Sequence, residues 1–148
     1  MLKIYLDNCC YNRPFDDLSQ EKIKNEASAK MFIQSLVKYG SLSLVFSYMS
    51  LTEINDSPFE SSKKQIMDFI NDYSAFYVSE NKRKEIEKTA SDIMSTGVKH
   101  KDAIHVACAI ISLCDYFITT DKRLLKYKTD KLKIVNPIDF IELRGKIT

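Results

Sequence analysis

The sequence predicts an α/β domain with a mainly parallel sheet, and three observations predict it. Short aliphatic and aromatic runs without polar alternation recur along the chain, as strands buried on both faces require. Amphipathic segments with apolar residues three and four apart separate those runs. Two of the runs end on an aspartate, Asp7 and Asp121, at the strand end where open α/β sheets form their ligand crevice.

The first strand is Leu2 to Leu6, which rises directly into Asp7 and Asn8. A turn-rich loop with Pro14 and several Asn and Asp residues follows, from Cys9 to Asp17. From about Ser19 to Tyr39 the spacing of Ala29, Phe32, Ile33, Leu36 and Val37 predicts a helix that Gly40 ends. Leu42 to Phe46 is the second strand, closing with Ser47, and Tyr48 to Asn55 is a short helix stopped by Asp56-Ser57-Pro58. Phe59 to Asn71 is helical, with Ile66, Phe69 and Ile70 as its apolar stripe, and Ala75 to Val78 is the third strand. Asn81 to Thr96 carries Ile86, Ala90, Ile93 and Met94 on one helical face, with Gly97 as its end signal. Asp102 to Cys114 is apolar nearly all round and is expected to lie buried against the sheet. Tyr116 to Ile118 is the fourth strand, a basic segment leads to a fifth at Leu132 to Val135, and Pro137 opens a last helix through Ile141. No internal repeat, low-complexity tract or linker interrupts this order, so residues 1–148 are read as a single domain.

Composition narrows the class. Apolar residues make up 45% and charged residues 28%, which is ordinary for a soluble globular chain. The most apolar segment, Ala103 to Leu113, is too short for a membrane span and contains His105, so no membrane partner is expected. Asp7 comes too early for a signal peptide, and a cytoplasmic protein is expected. Four cysteines form no CxxC pair and share no zinc spacing with the two histidines, which reads as buried thiols rather than a zinc site. A net charge of +2 does not by itself announce nucleic-acid binding. Lys122, Arg123, Lys126, Lys128, Lys131 and Lys133 nevertheless cluster against only Asp121 and Asp130; such a run is usually a solvated face, and it can also hold phosphates.

Four acidic residues occupy telling places. Asp7 and Asp121 end buried strands, Asp102 begins the buried helix that feeds the second of them, and Glu53 lies in the short helix after strand two. Each has a plain structural reading, as a turn former, a helix cap or a surface residue. In a parallel sheet, however, strand ends of one sense open on one edge, so the set is expected to converge. Two like charges ~4 Å apart repel by about 4 kcal/mol at an effective dielectric of 20, so such a cluster takes up protons or a cation. Carboxylate oxygens suit Mg²⁺ or Mn²⁺, and the chemistry they serve most naturally is metal-assisted attack of water on a phosphodiester.

With Lys3-Ile4-Tyr5-Leu6-Asp7, Glu53, Lys101-Asp102-Ala103-Ile104-His105, Phe117-Ile118-Thr119-Thr120-Asp121 and Ile134-Val135-Asn136-Pro137-Ile138-Asp139-Phe140 in this order, the chain resembles PIN-domain proteins over almost its whole length. The segment Asp7 to Pro14 resembles a bacterial subgroup in which Asn follows the first Asp, where VapC-type toxins usually carry Thr or Ser. The resemblance implies a three-layer α/β/α domain with a five-stranded parallel sheet, and cleavage of single-stranded RNA dependent on Mg²⁺ or Mn²⁺. It also implies that Asp7, Asp102 and Asp121 bind metal, with Glu53 as their acidic partner. Thr119 matches the hydroxyl residue that helps orient the site, and Asn8 takes the place of the usual small hydroxyl residue. By the same likeness a homodimer and a small antitoxin partner are expected, with the aromatics Tyr11 and Phe15 as interface or core residues.

The expected function is therefore a metal-dependent endoribonuclease, with Arg13, Lys101, Lys122 and Arg123 as candidate contacts to the RNA backbone. His105 lies one turn after Asp102, but a histidine there is more often a satisfied core residue than a general base, and it is left outside the set. The alternative function is a catalytically inactive PIN-like module that binds RNA or protein. A phosphohydrolase with an Asp nucleophile ranks last, because such enzymes commonly want a second acid two residues on and position 9 is Cys.

Overall fold

Strand β1 (Leu2–Leu6) is the centre of the protein. In the computed structural model, which describes residues 1–12 and 20–147, Ile4, Tyr5 and Leu6 are almost fully buried. β2 (Leu42–Ser47) pairs on one side of β1, with Tyr5 opposite Val45, and β4 (Tyr116–Ile118) pairs on the other, with Leu6 opposite Ile118. β3 (Ser74–Val78) and β5 (Lys133–Val135) form the two edges, so the order is β3-β2-β1-β4-β5 with every pairing parallel. The chain steps outward from β1 to β3 and then crosses to β4 and β5. Its direction reverses between β1 and β4, which is where such sheets open a crevice at their carboxyl edge.

Alternating side chains along the strands face two separate apolar layers. Ile4, Leu6, Leu44 and Ile118 pack with Ile33 and Val37 of α2 (Glu21–Lys38), Ile66 and Ile70 of α4 (Glu60–Tyr73) and Phe140 of α8 (Pro137–Ile147). On the other face Tyr5, Val45 and Phe117 pack with Ile86, Ala90 and Ile93 of α5 (Arg83–Met94) and with Ile104, Ala107 and Cys108 of α6 (His100–Ile111). The α/β fold and the five-stranded parallel sheet are those expected from the sequence. Among the described residues no helix is long and apolar enough to cross a membrane.

The differences lie at the ends of elements. The loop after Asp7 opens as a helical turn, α1 (Asn8–Asn12), because the Asp7 carbonyl accepts from the Cys10 N–H at 2.9 Å. Ser19, the expected start of the next helix, lies outside the described residues, as do Arg13 and Phe15. A 3₁₀ turn over Glu80–Lys82 precedes α5, where one continuous helix is expected. Helix α6 starts two residues before Asp102 and stops at Ile111. There Leu113 takes φ 61°, the Leu113 N–H bonds the Ile110 carbonyl at 3.0 Å, and the Cys114 N–H bonds the Ala109 carbonyl at 2.9 Å. That is a Schellman-type ending built without the usual glycine, which is why no glycine marks it in the sequence. The basic segment contains a further turn of helix, α7 (Lys122–Leu125).

Candidate active site

The site is built where β1 and β4 end side by side. The Asp7 N–H continues the ladder by donating to the Ile118 carbonyl at 3.0 Å, which places Asp7 and Thr119 next to each other at the switch point. The Thr119 hydroxyl, fully buried, donates to Asp7 Oδ2 at 2.9 Å and accepts the Asp121 N–H at 3.0 Å. One hydroxyl thus ties Asp7, directly after β1, to Asp121, three residues past the end of β4. Asp121 also caps α7, accepting the Arg123 N–H on Oδ1 at 2.8 Å, so its capping role and its place at the site coexist. Asp7 is buried, and its Oδ1 accepts the Asn8 N–H at 2.8 Å. The Cys9 thiol lies 3.5 Å from Asp7 Oδ2 and 3.3 Å from Thr119 Oγ1.

Glu53 arrives from α3 (Tyr48–Asn55), which follows β2 directly. Ser47 caps that helix in a reciprocal capping box with Ser50, which sets the angle at which α3 leaves the sheet. Both oxygens of Glu53 are engaged. Oε2 accepts from Asn8 Nδ2 at 2.8 Å, and Oε1 lies 2.8 Å from His105 Nε2. Because a carboxylate only accepts, the Asn8 amide must present its nitrogen to Glu53. Its Oδ1 is then buried without a hydrogen-bond partner among the described residues.

Asp102 stands in the first turn of α6 and is half-buried. Its carboxyl titrates above the ordinary carboxylate range, first because burial disfavours the charge, then because Asp7, Asp121 and Glu53 add like-charge fields, with His105 opposing them. Glu53 and Asp102 line one cleft, and the fields of Asp7 and Asp121 reach Asp102 from the strand ends. Among the described residues, no three His, Cys, Asp or Glu side chains converge closely enough to form a ready-made metal-ligand set.

Two clefts meet at Asp102. The larger, ≈1070 Å³, lies between the α3–α4 connection and the start of α6, and is lined by Glu53, Phe59, Lys99, Lys101 and Asp102 among others. The smaller, ≈370 Å³, runs along Lys99, Asp102, Arg123, Lys126, Tyr127 and Lys128. Of the cations expected to meet RNA, Lys101 lines the first cleft and Arg123 the second. Lys122 is exposed at the start of α7, and Arg13 lies outside the described residues. Lys99, not singled out from the sequence, lines both.

His105, set aside from the sequence, is bonded into the site. It is almost fully buried, and its Nδ1 lies 2.6 Å from the Tyr5 hydroxyl. Burial opposes protonation of the ring, but the Glu53 hydrogen bond and the fields of Asp7, Glu53 and Asp102 outweigh it, so His105 titrates above its ordinary value. Tyr5 in turn reaches Ser47 Oγ at 2.6 Å and Ser50 Oγ at 3.0 Å, and burial above all holds its phenol well above the usual range, hence neutral. The one signal in the sequence was a tyrosine in the middle of a strand buried on both faces, whose hydroxyl must find a partner.

No protein-family model matches the chain, and no curated protein sequence does either. Among solved structures the chain is similar to the crystal structure of VapBC2 from Rickettsia felis bound to a DNA fragment from their promoter. The TM-score is 0.56 at 13% identity, over 92% of this chain and 98% of that one. At that identity the likeness is one of fold.

Proposed function

We propose that the protein is a metal-dependent endoribonuclease that hydrolyses phosphodiester bonds of single-stranded RNA. The observation that carries this reading is the linkage at the β1–β4 switch point, where Thr119 joins Asp7 to Asp121 and Asn8 joins Asp7 to Glu53, with Glu53 and Asp102 lining one cleft beside Lys99 and Lys101. Hard oxygen donors of this kind, with the unsatisfied Asn8 Oδ1 beside them, fit Mg²⁺ or Mn²⁺ chemically. Asp7, Asp102 and Asp121 would hold the ion. Bound there, a divalent ion lowers the pKa of water and neutralises charge developing on the phosphate.

The chain's own residues do the rest. Thr119 and Asn8 orient Asp7 and Glu53, and Glu53 orients the attacking water. Lys99, Lys101, Lys122, Arg123 and the 126–128 segment hold backbone phosphates, with Arg13 a further candidate. Water adds to phosphorus, its proton passes to solvent, and the bond to the leaving ribose oxygen breaks as that oxygen regains a proton. The fold likeness to VapBC2 supports the finer proposal that this is the toxin of a toxin-antitoxin pair; the proposal also takes it to be a cytoplasmic homodimer neutralised by a small antitoxin.

The absence of a preformed three-ligand set among the described residues favours a second reading, a PIN-like module that binds RNA or protein without cutting. Cleavage of pooled RNA with and without Mg²⁺ or Mn²⁺, comparing wild type with Asp7→Asn, decides between them. The nuclease reading expects metal-dependent cleavage that Asp7→Asn abolishes. Undiminished cleavage by that variant, or no divalent-dependent rise in Tm of the wild type, refutes it.

A further inference from the structure

Glu53 sits on a helix of only eight residues at the wall of the larger cleft, yet its carboxylate is held at both oxygens. The hold on Oε1 reaches back into the sheet. His105 Nε2 meets Glu53, His105 Nδ1 meets the Tyr5 hydroxyl, and that hydroxyl meets Ser47 and Ser50. Tyr5 is itself fixed by stacking on Phe117 at 5.3 Å, and the imidazole stands edge-on to it at 5.6 Å. Ser50 and Glu53 lie one turn apart on α3, so that helix is tied to β1 through Ser50 directly and through Glu53 by way of His105.

We propose that His105 is a positioning residue: through its Nε2–H it fixes the orientation in which Glu53 presents its remaining lone pairs to the ion and water of the site. The proposal rests on the nuclease reading. A carboxylate held only by Asn8 pivots about a single hydrogen bond, whereas one held at both oxygens keeps one rotamer and loses little freedom when the site loads. Tyr5, anchored in the middle of the sheet, sets the ring's rotation and leaves Nε2 facing the acid. The buried ring needs a partner for Nε2, whereas Glu53 at the cleft wall has water as an alternative, so their bond pairs the ring and also holds the carboxylate in place.

The test uses the full chain with Mn²⁺, measuring ion affinity by calorimetry and cleavage of a randomised single-stranded RNA pool. The variants are His105→Leu, His105→Gln, Glu53→Gln and the His105→Leu/Glu53→Gln double. His105→Leu is expected to weaken Mn²⁺ binding or kcat about 10–100-fold with KM for RNA nearly unchanged. His105→Gln, whose amide can donate from the Nε2 position, recovers most of the loss. In the Glu53→Gln background His105→Leu adds at most about a twofold effect, because the carboxylate that His105 orients is already gone.

A folded His105→Leu that behaves like wild type, or an effect that persists undiminished in the Glu53→Gln background, overturns the positioning role while leaving the nuclease reading intact. If His105→Leu does not fold, His105→Asn, which is too short to reach Glu53, replaces it, and equal loss in Asn and Gln variants overturns the proposal. A wild type that neither binds Mn²⁺ nor cleaves RNA defeats the nuclease reading itself, and this proposal with it.

Discussion

Thr119→Val is the sharpest probe of how the strand ends are held together. The substitution keeps the shape and removes one fully buried hydroxyl. That hydroxyl donates to the Asp7 carboxylate at 2.9 Å and accepts the Asp121 N–H at 3.0 Å. A hydrogen bond to a charged group contributes about 1.5–3 kcal/mol, and an N–H left unpaired costs about 1–3 kcal/mol more. Asp121 is half-exposed, so water recovers part of the second loss. The expected destabilisation is about 2–4 kcal/mol, or a fall in Tm of roughly 5–15 °C for a domain of this size. Thr119→Ser keeps the hydroxyl and loses only a methyl, at about 1 kcal/mol. Urea unfolding of the two variants, with Mn²⁺-dependent cleavage measured alongside, should rank wild type above Ser and Ser well above Val in both readouts. If Val matches wild type within about 0.5 kcal/mol, or Ser proves worse than Val, the hydroxyl is not the tie described here.

Three further outcomes follow from individual residues. Asp102 has a folded-state pKa raised above its unfolded value, so its charged form costs stability that appears as pH rises through the carboxylate range. Asp102→Asn should therefore stabilise the metal-free protein at neutral pH but not at pH below that range. Solvent screening of the half-exposed group holds the gain to about 1 kcal/mol, and Mn²⁺ should raise the Tm of wild type more than that of the variant. Leu113 occupies a left-handed backbone position at φ 61° while its side chain stays 79% exposed. Leu113→Gly should raise stability by about 0.5–1 kcal/mol in a urea melt, and Leu113→Val should lower it. Lys99 lines both clefts, so Lys99→Ala should weaken binding of single-stranded RNA and shallow the slope of log affinity against log salt by about 0.7; an unchanged slope places Lys99 off the phosphate path.

The parallel sense of the strands, and which acids follow them in the chain, were legible from local pattern; the strand order was not. Runs without polar alternation at Leu2–Leu6, apolar but for Lys3, and at Tyr116–Ile118 read as strands buried on both faces, and residues just past the ends of such strands emerge on the same edge of a parallel sheet. That is why Asp7 and Asp121 could be paired by inspection although they lie far apart in the chain. Helix ends were less legible, because backbone geometry at Leu113 stops α6 without the glycine that usually announces such a stop.

The partners of the acids belong to tertiary structure alone. Asn8 meets Glu53 across 45 residues, Glu53 meets His105 across 52, and Tyr5 meets His105 across 100. Periodicity states which face a side chain occupies, not which side chain from another element will stand opposite it. From the sequence His105 was a histidine one turn after Asp102, read as a satisfied core residue, and Tyr5 one more residue in an apolar strand. Only the packing of α6 over β1 brings the ring between the tyrosine hydroxyl and the carboxylate. A buried polar atom must be paired, and the fold determines with what.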